Sequence, residues 1–530
     1  MGEMADYVIA GSGSAGAVLA ARLTENPDVK VILIEAGKDR SRNLFVTMPA
    51  GSYAMMGNKI FDWSILAEPD PSIGGRRINW SGGKMLGGSS SINGMVYVRG
   101  NRDDYTRWVE AGADGWGWPE MLPYFLKAEN YQGAPSQWHG SHGPLKVGHQ
   151  NARHELVDAV IGAFVNNGVP HREEYCDGDQ YGVYENLTTA PGGRRSSTAV
   201  TYLAEARKRP NLTIMTETTV DKVLISEGRA TGLRVIRGGV ASDIMASTTL
   251  VCAGALNSPA ILMRSGIGPA QALSALGIPV VADLPVGQNL QDHCGLTYSK
   301  LVDVPTYNSP FGPWTIGKNL LRWLAKKDGP MSSAAVQVMA GLRSSPELPE
   351  ADIAVSFIPL AIGFEKGKPQ MHKQPGITIG GNCMRPDSRG EIRLASSDPH
   401  AAPIIDHRLL GDERDVRRLI AFGKFLDRLF RTEPLASHVV ADNFPAETPR
   451  DDAEWEALIR ATSGIGYHAA GTCRMGGADA VLDPQLRVRR IEGLRVVDAS
   501  VMPSLVSGNT NAATIAIAER AAELLSQVRR

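Results

Sequence analysis

The stretch from Tyr7 to Gly37 constrains the fold of this chain more than any other part of the sequence. It contains an apolar run at Tyr7–Ala10, a G-x-G-x-x-G turn, small and apolar residues at Ala15–Leu23, and a second apolar run at Val31–Ile34. Short unbroken apolar runs of this kind favour strands that are buried on both faces of a parallel sheet. The order predicts strand, tight turn, helix and strand, which is the unit that binds adenine dinucleotides.

The three glycines of the turn are Gly11, Gly13 and Gly16. The first permits a tight bend, the second lets the backbone approach a pyrophosphate, and the third lets the helix pack closely on the strand. Glu35 ends the second strand 19 positions after Gly16, near the spacing of about 20 that suits an acid binding a ribose hydroxyl. The alternative is a chance glycine-rich turn in a chain with 57 glycines, and these residues do not distinguish NAD from FAD.

Composition narrows the class of protein. A chain of 530 residues predicts two to four domains, at about 150 residues for each. The net charge is −1 and no long run of Lys or Arg occurs, so we expect no nucleic-acid partner. An uncharged small molecule is the simplest partner. The oligomeric state stays open, with a homo-oligomer as one option.

Cysteine and histidine patterns indicate neither disulfides nor a metal site. The histidines at 139, 142 and 149 are loosely spaced in polar surroundings, which predicts a surface loop rather than metal ligands. No run of 18 apolar residues is present and the first strand begins by Tyr7, so we expect a cytoplasmic protein without an integral membrane segment. The five cysteines are odd in number and far apart, which favours a reducing compartment: Cys176, Cys252, Cys294, Cys383 and Cys473.

The rest of the chain changes character twice. Gly87-Gly88-Ser89-Ser90 offers free backbone N–H groups for an anion or cofactor, although a plain turn is the alternative. Ser196-Ser197-Thr198 predicts the cap of a helix running towards Lys208. Residues from about 300 to 463 read as antiparallel strands with helices. A buried strand at Leu494–Val497 and a helix at Ala513–Leu525 then resume the α/β pattern of the first 37 residues.

Several of these motifs resemble those of the glucose–methanol–choline (GMC) flavin oxidoreductases. GKMLGGSSSIN at Gly83–Asn93 resembles the first signature of that family, and CAGALNSPAILMRSGIG at Cys252–Gly268 resembles the second. GQNLQDH, YHAAGTCRMG and RVVDASVMPSLVSGNTNAATIAIAER resemble its later motifs, and the order covers nearly the whole chain. Among the members, the C-terminal motif is most similar to choline- and L-sorbose-dehydrogenase-like bacterial enzymes.

The resemblance implies an α/β plus α+β fold, in which a discontinuous Rossmann-like FAD-binding domain carries an inserted substrate domain of antiparallel sheet and helices. We expect residues 1–155, 196–300 and 464–530 in the first domain, and residues 156–195 and 301–463 in the second. His468 matches the active-site histidine of the family, and Asn511 matches its partner. The cofactor contacts implied are Gly11, Gly13, Ser14, Ala15, Gly16, Glu35, Gly88, Asn93, Val96, Val220, Asp498 and Ala499.

The implied reaction is oxidation of a small alcohol. His468 would accept the hydroxyl proton while hydride passes to flavin N5, and Asn511 would steady the oxygen. Electrons would then pass to a quinone or another acceptor. The alternatives are an oxidase that forms hydrogen peroxide and a non-catalytic flavin-binding protein, with an NAD-linked enzyme as a weaker rival.

Two departures from the family pattern refine these expectations. Ile92 occupies the position at which some choline oxidases attach FAD through histidine, so we expect non-covalent FAD. Gln337 aligns with a glutamate of choline-type members, and a neutral amide lacks the attraction of a carboxylate for a quaternary ammonium. A neutral alcohol, polyol or aromatic alcohol is therefore expected. We interpret Cys473 as a core cysteine and His293 as a structural end to its turn.

Overall fold

The computed structural model describes residues 4–308, 313–365 and 368–527. In chain order its strands are β1 (Ala5–Ala10), β2 (Val31–Ile34), β3 (Ile65–Leu66), β4 (Asn79–Trp80), β5 (Glu129–Tyr131), β6 (Leu145–Val147), β7 (Gly182–Glu185), β8 (Leu212–Met215), β9 (Thr218–Ser226), β10 (Arg229–Arg237), β11 (Val240–Val251), β12 (Cys294–Val302), β13 (Val338–Leu342), β14 (Ile353–Ile358), β15 (Ile362–Glu365), β16 (Lys368–Met371), β17 (Gly376–Cys383), β18 (Glu391–Arg393), β19 (Ile404–Asp406), β20 (Val439–Phe444), β21 (Gly464–Ile465) and β22 (Leu494–Val496).

The helices alternate with these strands along the chain. They are α1 (Ser14–Leu23), α2 (Leu44–Thr47), α3 (Ser52–Met55), α4 (Arg102–Glu110), α5 (Trp118–Ala128), α6 (Val157–Asn166), α7 (Tyr202–Ala206), α8 (Gly254–Arg264), α9 (Ala270–Ala275), α10 (Pro313–Lys326), α11 (Glu413–Phe430), α12 (Asp452–Thr462) and α13 (Thr510–Gln527). Short 3₁₀ turns connect several of them, among them Gly88–Ser91. No helix among the described residues is long and apolar enough to cross a membrane.

The first sheet has the strand order β8-β2-β1-β11-β10-β9, with β22 beside β11. Strands β8, β2, β1, β11 and β22 run parallel, and β9, β10 and the first half of β11 form an antiparallel meander. Tyr7 lies opposite both Val31 and Thr248, so β1 is central. This position explains its nearly continuous apolar sequence, and the predicted strand–turn–helix–strand unit is confirmed.

The two ends of the chain form one unit. Strand β22 lies parallel to β11, and helix α13 packs against α1. Arg22 on α1 donates to the buried carboxylate of Glu519 on α13, with Nε 2.8 Å from Oε2. The prediction of a discontinuous Rossmann-like unit is therefore confirmed. Helix α13 begins at Thr510, three residues before the start predicted from the sequence.

The second sheet is antiparallel, with the order β13-β14-β17-β12-β20 and with β21 beside β12. Helices α11 and α12 pack against it. Strand β12 begins at Cys294 and β21 at Gly464, inside ranges that the sequence assigned to the first domain. We propose that the boundaries between the two domains lie at about residues 293 and 466, where the chain leaves one sheet for the other.

Two local predictions differ from the structure. The helix expected after Ser196 begins only at Tyr202, because the backbone N–H of Thr198 donates to Ser90 Oγ (3.1 Å) in the second glycine-rich loop. The His139 side chain is only 5% exposed, because it stacks on Tyr131 and binds acidic neighbours. All five cysteines are buried free thiols, and Cys473 lies in the main hydrophobic core as predicted.

Candidate active site

A cavity of about 900 Å³ lies where the two sheets meet. One side is formed by the carboxyl ends of β1, β2 and β11, where open α/β sheets bind their ligands. The opposite side is formed by strands β13, β14 and β17 of the antiparallel sheet. The volume is near the upper end of ligand sites, which span roughly 300–1,000 Å³, as a dinucleotide with a substrate requires.

The first glycine loop brings bare backbone to this cavity. Gly11 has φ +101°, and a Cβ there would lie 2.5 Å from the carbonyl oxygen of Cys252. A Cβ on Gly16 would lie 1.9 Å from the carbonyl oxygen of Gly11, so this glycine allows α1 to approach β1. Helix α1 begins after Gly13 without a side-chain cap. Its first N–H groups and the positive end of its dipole therefore suit a diphosphate.

The second glycine loop lies directly against the first. Gly88 has φ +50°, and a Cβ on it would lie 2.7 Å from the Cα of Gly13. Both loops line the cavity, and a side chain on Gly88 would displace the first loop. Ile92 follows in the same loop and also lines the cavity.

Two buried carboxylates stabilise the loops around the cavity. Glu35 accepts from Ser12 Oγ (2.6 Å) and from the backbone N–H of Gly37 (2.8 Å). Asp498 accepts from Ser258 Oγ (2.5 Å) and caps the turn that follows β22. Burial raises the pKa of both groups, and their hydrogen bonds favour the ionised form. These acids hold the loops in place while they face the cavity.

The structure gathers most of the predicted cofactor residues around the same cavity. Gly16 is the exception, since it packs α1 against the loop and does not appear among the lining residues. Those that line it are Gly11, Gly13, Ser14, Ala15, Glu35, Gly88, Asn93, Val96, Val220, Asp498 and Ala499.

Arg195 supports the second glycine loop, a role that no motif in the sequence predicted. Its guanidinium is buried and donates to carbonyl oxygens of Val46 (3.0 Å), Ser90 (3.3 Å) and Asn93 (2.7 Å). Burial without a carboxylate hydrogen-bond partner lowers its pKa to about 9. It therefore contributes a rigid fork of donors that fixes the segment carrying Asn93.

His468 stands at the other end of the cavity with a partner on each ring nitrogen. Its Nε2 lies 2.8 Å from Nδ2 of Asn509, and its Nδ1 lies 2.8 Å from Nδ1 of His293. Its backbone N–H donates to Oδ1 of Asp292 (2.8 Å). Burial, and then the neighbouring His293, lower the pKa of His468 well below its ordinary value. The ring is therefore neutral at pH 7 and can accept a proton.

The structure places the two asparagines of the G-N-T-N segment differently. Asn511 Oδ1 accepts from Ser14 Oγ (2.7 Å), on the first glycine loop. Asn509, which immediately precedes α13, is the residue that reaches the His468 imidazole. Residues two apart at a helix start do not share a face, so only one of them can meet the ring. Both line the cavity, and the resemblance of the C-terminal motif to the family is the sequence signal that pointed to this segment.

Strained backbone also lines the cavity. Met95, Ala335 and Tyr467 have φ values of 60°, 66° and 60°, in the left-handed region that non-glycine residues rarely adopt. All three line the cavity, and Tyr467 immediately precedes His468. Such residues concentrate at functional sites, where the surrounding structure holds them in place.

The antiparallel sheet presents a neutral wall to the cavity. The described strand residues that line it carry no ionisable side chain: Met339, Ala354, Ser356, Ile358 and Asn382. Gln337 is buried instead and donates to Ser333 Oγ (3.0 Å) and to the Tyr307 hydroxyl (3.2 Å). It is not among the described residues that line the cavity.

Comparison with known proteins gives consistent matches along the chain. Residues 5–295 match the N-terminal model of GMC oxidoreductase, and residues 386–518 match the C-terminal model. An oxygen-dependent choline dehydrogenase of Rhizobium rhizogenes is 39% identical over 529 residues, covering 98% of this chain and 95% of that protein. The mitochondrial choline dehydrogenase of Homo sapiens is 39% identical over 534 residues, covering 98% and 89%.

Solved structures resemble the whole chain as well. A pyridoxine 4-oxidase from Mesorbium loti superposes with a TM-score of 0.90 at 32% identity, covering 99% of each chain. A formate oxidase of Aspergillus oryzae RIB40 superposes with a TM-score of 0.93 at 26% identity, again covering 99% of each. The similarity therefore extends over nearly the whole chain.

Proposed function

This chain belongs to the GMC oxidoreductase family of FAD-dependent, alcohol-oxidising enzymes, and we propose that it oxidises a small neutral alcohol with His468 as the proton acceptor. The observation that carries the proposal is the neutral imidazole of His468, which faces the cavity beside Asn509. A general base needs an unprotonated nitrogen within reach of the hydroxyl that it serves. His468 supplies this nitrogen at the cavity.

The residues that line the cavity are suited to bind FAD. The glycine loops and the uncapped start of α1 leave backbone N–H groups for a diphosphate, and Glu35 and Val220 line the cavity near the first sheet. Ile92 has no atom that can form a covalent bond to the ring, which supports non-covalent binding. When bound, FAD supplies the acceptor for the hydride that leaves the alcohol carbon.

His468 and Asn509 have separate roles in the oxidation of the alcohol. His468 takes the hydroxyl proton on Nε2, so the alcohol carbon becomes a carbonyl as its hydride leaves. Asn509 orients the imidazole and is close enough to donate to the substrate oxygen as negative charge develops there. We therefore assign to Asn509 the role of partner that the sequence pattern suggested for Asn511, and we place Asn511 with the cofactor loop through Ser14.

A neutral substrate is supported by the wall of the antiparallel sheet. Its lining side chains are apolar or carry hydroxyl or amide groups, so the described strand residues of this wall offer no carboxylate to attract a quaternary ammonium. Relatives named choline dehydrogenases share 39% of the sequence, so choline is the substrate against which this proposal must be tested. Polyols and aromatic alcohols are the neutral classes that we favour.

We further propose that electrons leave to a quinone or another carrier. An oxidase that forms hydrogen peroxide is the second candidate, because solved neighbours include a pyridoxine 4-oxidase and a formate oxidase. A non-catalytic flavin-binding protein is the third, and the cavity beside His468 argues against it. Five buried free thiols support the proposal of a reducing compartment, the cytoplasm.

The test is anaerobic reduction of the enzyme-bound flavin by a panel of polyols, aromatic alcohols and choline. We expect at least one neutral alcohol to bleach the flavin faster than choline, and His468→Ala to slow bleaching by about 100-fold or more. The exposed His142 provides a control, since His142→Ala should leave the rate unchanged. No bleaching by any alcohol would refute the catalytic proposal, and preference for choline would refute the neutral substrate.

Two further measurements can be made on the same preparation of enzyme. Acid precipitation should release the flavin into solution, whereas flavin retained on the precipitate would refute non-covalent binding. Peroxide formed in step with alcohol consumption under air would identify an oxidase instead of a dehydrogenase.

A further inference from the structure

His293 lies immediately behind His468 and is almost fully buried. Its Nε2 is 3.0 Å from the carbonyl oxygen of Met384 and 3.1 Å from that of Val506. A carbonyl oxygen can only accept a hydrogen bond, so the Nε2 of His293 must carry a hydrogen. The two carbonyls come from distant parts of the chain that meet only in the folded protein.

The other nitrogen of His293 is therefore an acceptor. Burial lowers the pKa of His293 to about 4, so the ring is neutral at pH 7 and carries a single hydrogen. With that hydrogen on Nε2, Nδ1 offers a lone pair to the Nδ1 of His468, 2.8 Å away. The hydrogen between the rings consequently belongs to Nδ1 of His468.

We propose that His293 is a positioning residue that fixes the tautomer of the catalytic base, an inference that rests on the proposed function of His468. With hydrogen on Nδ1, His468 presents an unprotonated Nε2 to the cavity, where Asn509 Nδ2 lies within hydrogen-bond distance. The opposite tautomer would place two lone pairs against each other between the rings and would leave no acceptor facing the alcohol.

The arrangement also serves the protonated state of the base. When Nε2 of His468 takes the hydroxyl proton, the ring holds one hydrogen on each nitrogen and a positive charge. Its Nδ1–H still donates to His293, so the hydrogen bond between the two rings is kept as the proton arrives, while Asn509 Nδ2 ceases to donate to Nε2. His293 thereby does for this base what a buried carboxylate does for the histidine of a serine hydrolase, but without a negative charge.

A metal ion is the alternative for the same residues. Ligand atoms of Asp292, His293 and His468 all lie within 4.8 Å of one another. The Nδ1–Nδ1 distance of 2.8 Å and the two carbonyls behind His293 fit a chain of hydrogen bonds. Oδ1 of Asp292 already accepts from backbone N–H groups of both histidines. Metal content is therefore one of the quantities to measure.

The direct test is the tautomer of His468 in the holoenzyme labelled with ¹⁵N-histidine. Long-range ¹H–¹⁵N spectra distinguish the two neutral forms, and the His468→Gln variant identifies the signals by their loss. We expect a protonated Nδ1 and an unprotonated Nε2 at pH 7. A hydrogen on Nε2, or a metal bound in equal molar amount whose removal changes these signals, would overturn the proposal.

Two variants of His293 separate its acceptor from its donor. His293→Gln keeps an amide N–H for the two carbonyls but gives no acceptor at the Nδ1 position, whereas His293→Asn places an amide oxygen there. We expect flavin reduction to slow by about 100-fold in His293→Gln, the lower end for loss of a general base. His293→Asn should recover at least about tenfold of this loss, while the buried control His407→Gln should stay within about twofold of wild type.

These outcomes distinguish the inference from the proposed function. Equal losses in the two His293 variants, or a His293→Gln rate within about threefold of wild type, would overturn the positioning role. Loss of reduction in His468→Ala combined with the wrong tautomer would refute only the inference. Unchanged reduction in His468→Ala would refute the proposed base itself. If neither His293 variant retains FAD, the wild-type spectrum decides.

Discussion

Exchanging the two asparagines of the G-N-T-N segment for alanine provides a sharp test of the active-site assignment. Asn509 Nδ2 lies 2.8 Å from Nε2 of His468, whereas Asn511 Oδ1 accepts from Ser14 Oγ at 2.7 Å. The two residues differ by two positions in sequence and have the same side chain. They are therefore matched in chemistry and differ in what they contact.

The contacts set the expected magnitudes. Removing one donor aimed at a developing oxyanion costs about 10²–10³ in rate, or roughly 2.7–4 kcal/mol, so Asn509→Ala should slow flavin reduction by that factor. Asn511→Ala removes one partly buried hydrogen bond that joins α13 to the first glycine loop. Such a bond contributes about 1 kcal/mol of stability. We expect that variant to unfold more easily and to hold FAD less tightly.

The assay is stopped-flow reduction of the flavin under anaerobic conditions, with FAD supplied in excess so that weaker binding does not lower the observed rate. Asn511→Ala should then react within about threefold of wild type. Asn509→His, which restores a donor, should recover part of the rate lost in Asn509→Ala. A greater loss of rate in Asn511→Ala than in Asn509→Ala would refute the assignment of Asn509.

Three further predictions concern the same cavity. Burial raises the pKa of Asp292 to about 7, so its contribution favours folding below about pH 4 and is lost as the pH rises to about 7. The free energy of unfolding of Asp292→Asn, relative to that of wild type, should therefore rise by up to about 4 kcal/mol as the pH is raised from 4 to 8. Urea titrations at several pH values measure this difference. A difference that does not change with pH would contradict the prediction. Gly88→Ala should weaken FAD retention by more than about tenfold, because its Cβ would meet Gly13 at 2.7 Å, whereas Gly57→Ala, left-handed but in open space, should not. Because the pKa of His468 is lowered, the rate of flavin reduction should fall only below about pH 6.5, and a fall that begins above it would refute the shift.

Much of the fold could be predicted because its signals are local. The apolar runs of β1 and β2, the glycine turn and the acid at Glu35 lie within about 30 residues, and in this order they predict one structural unit. Predictions failed where a distant contact competes with a local preference. The serines before α7 have the composition of a helix cap, but the second glycine loop binds that segment and delays the helix to Tyr202.

The residues of the site likewise include some that the sequence predicted and some that depend on tertiary contacts. The resemblance of the ordered motifs to those of the family predicted a flavin site, His468 as the base and Asn511 as its partner. The prediction named Asn511, whereas Asn509 contacts the ring, because the contact depends on where helix α13 begins and therefore on how it packs against α1. A shift of one or two positions at a helix start turns a side chain to another face.

The role of His293 separates the features that follow from local sequence pattern from those that depend on distant contacts. Local pattern and motif order were sufficient to predict the FAD-binding fold and the residue types around its site. Which nitrogen of His468 carries hydrogen depends on His293, and through it on carbonyls at Met384 and Val506 that are 122 residues apart. A tautomer is set by the partners around a ring, and only the folded chain brings those partners together.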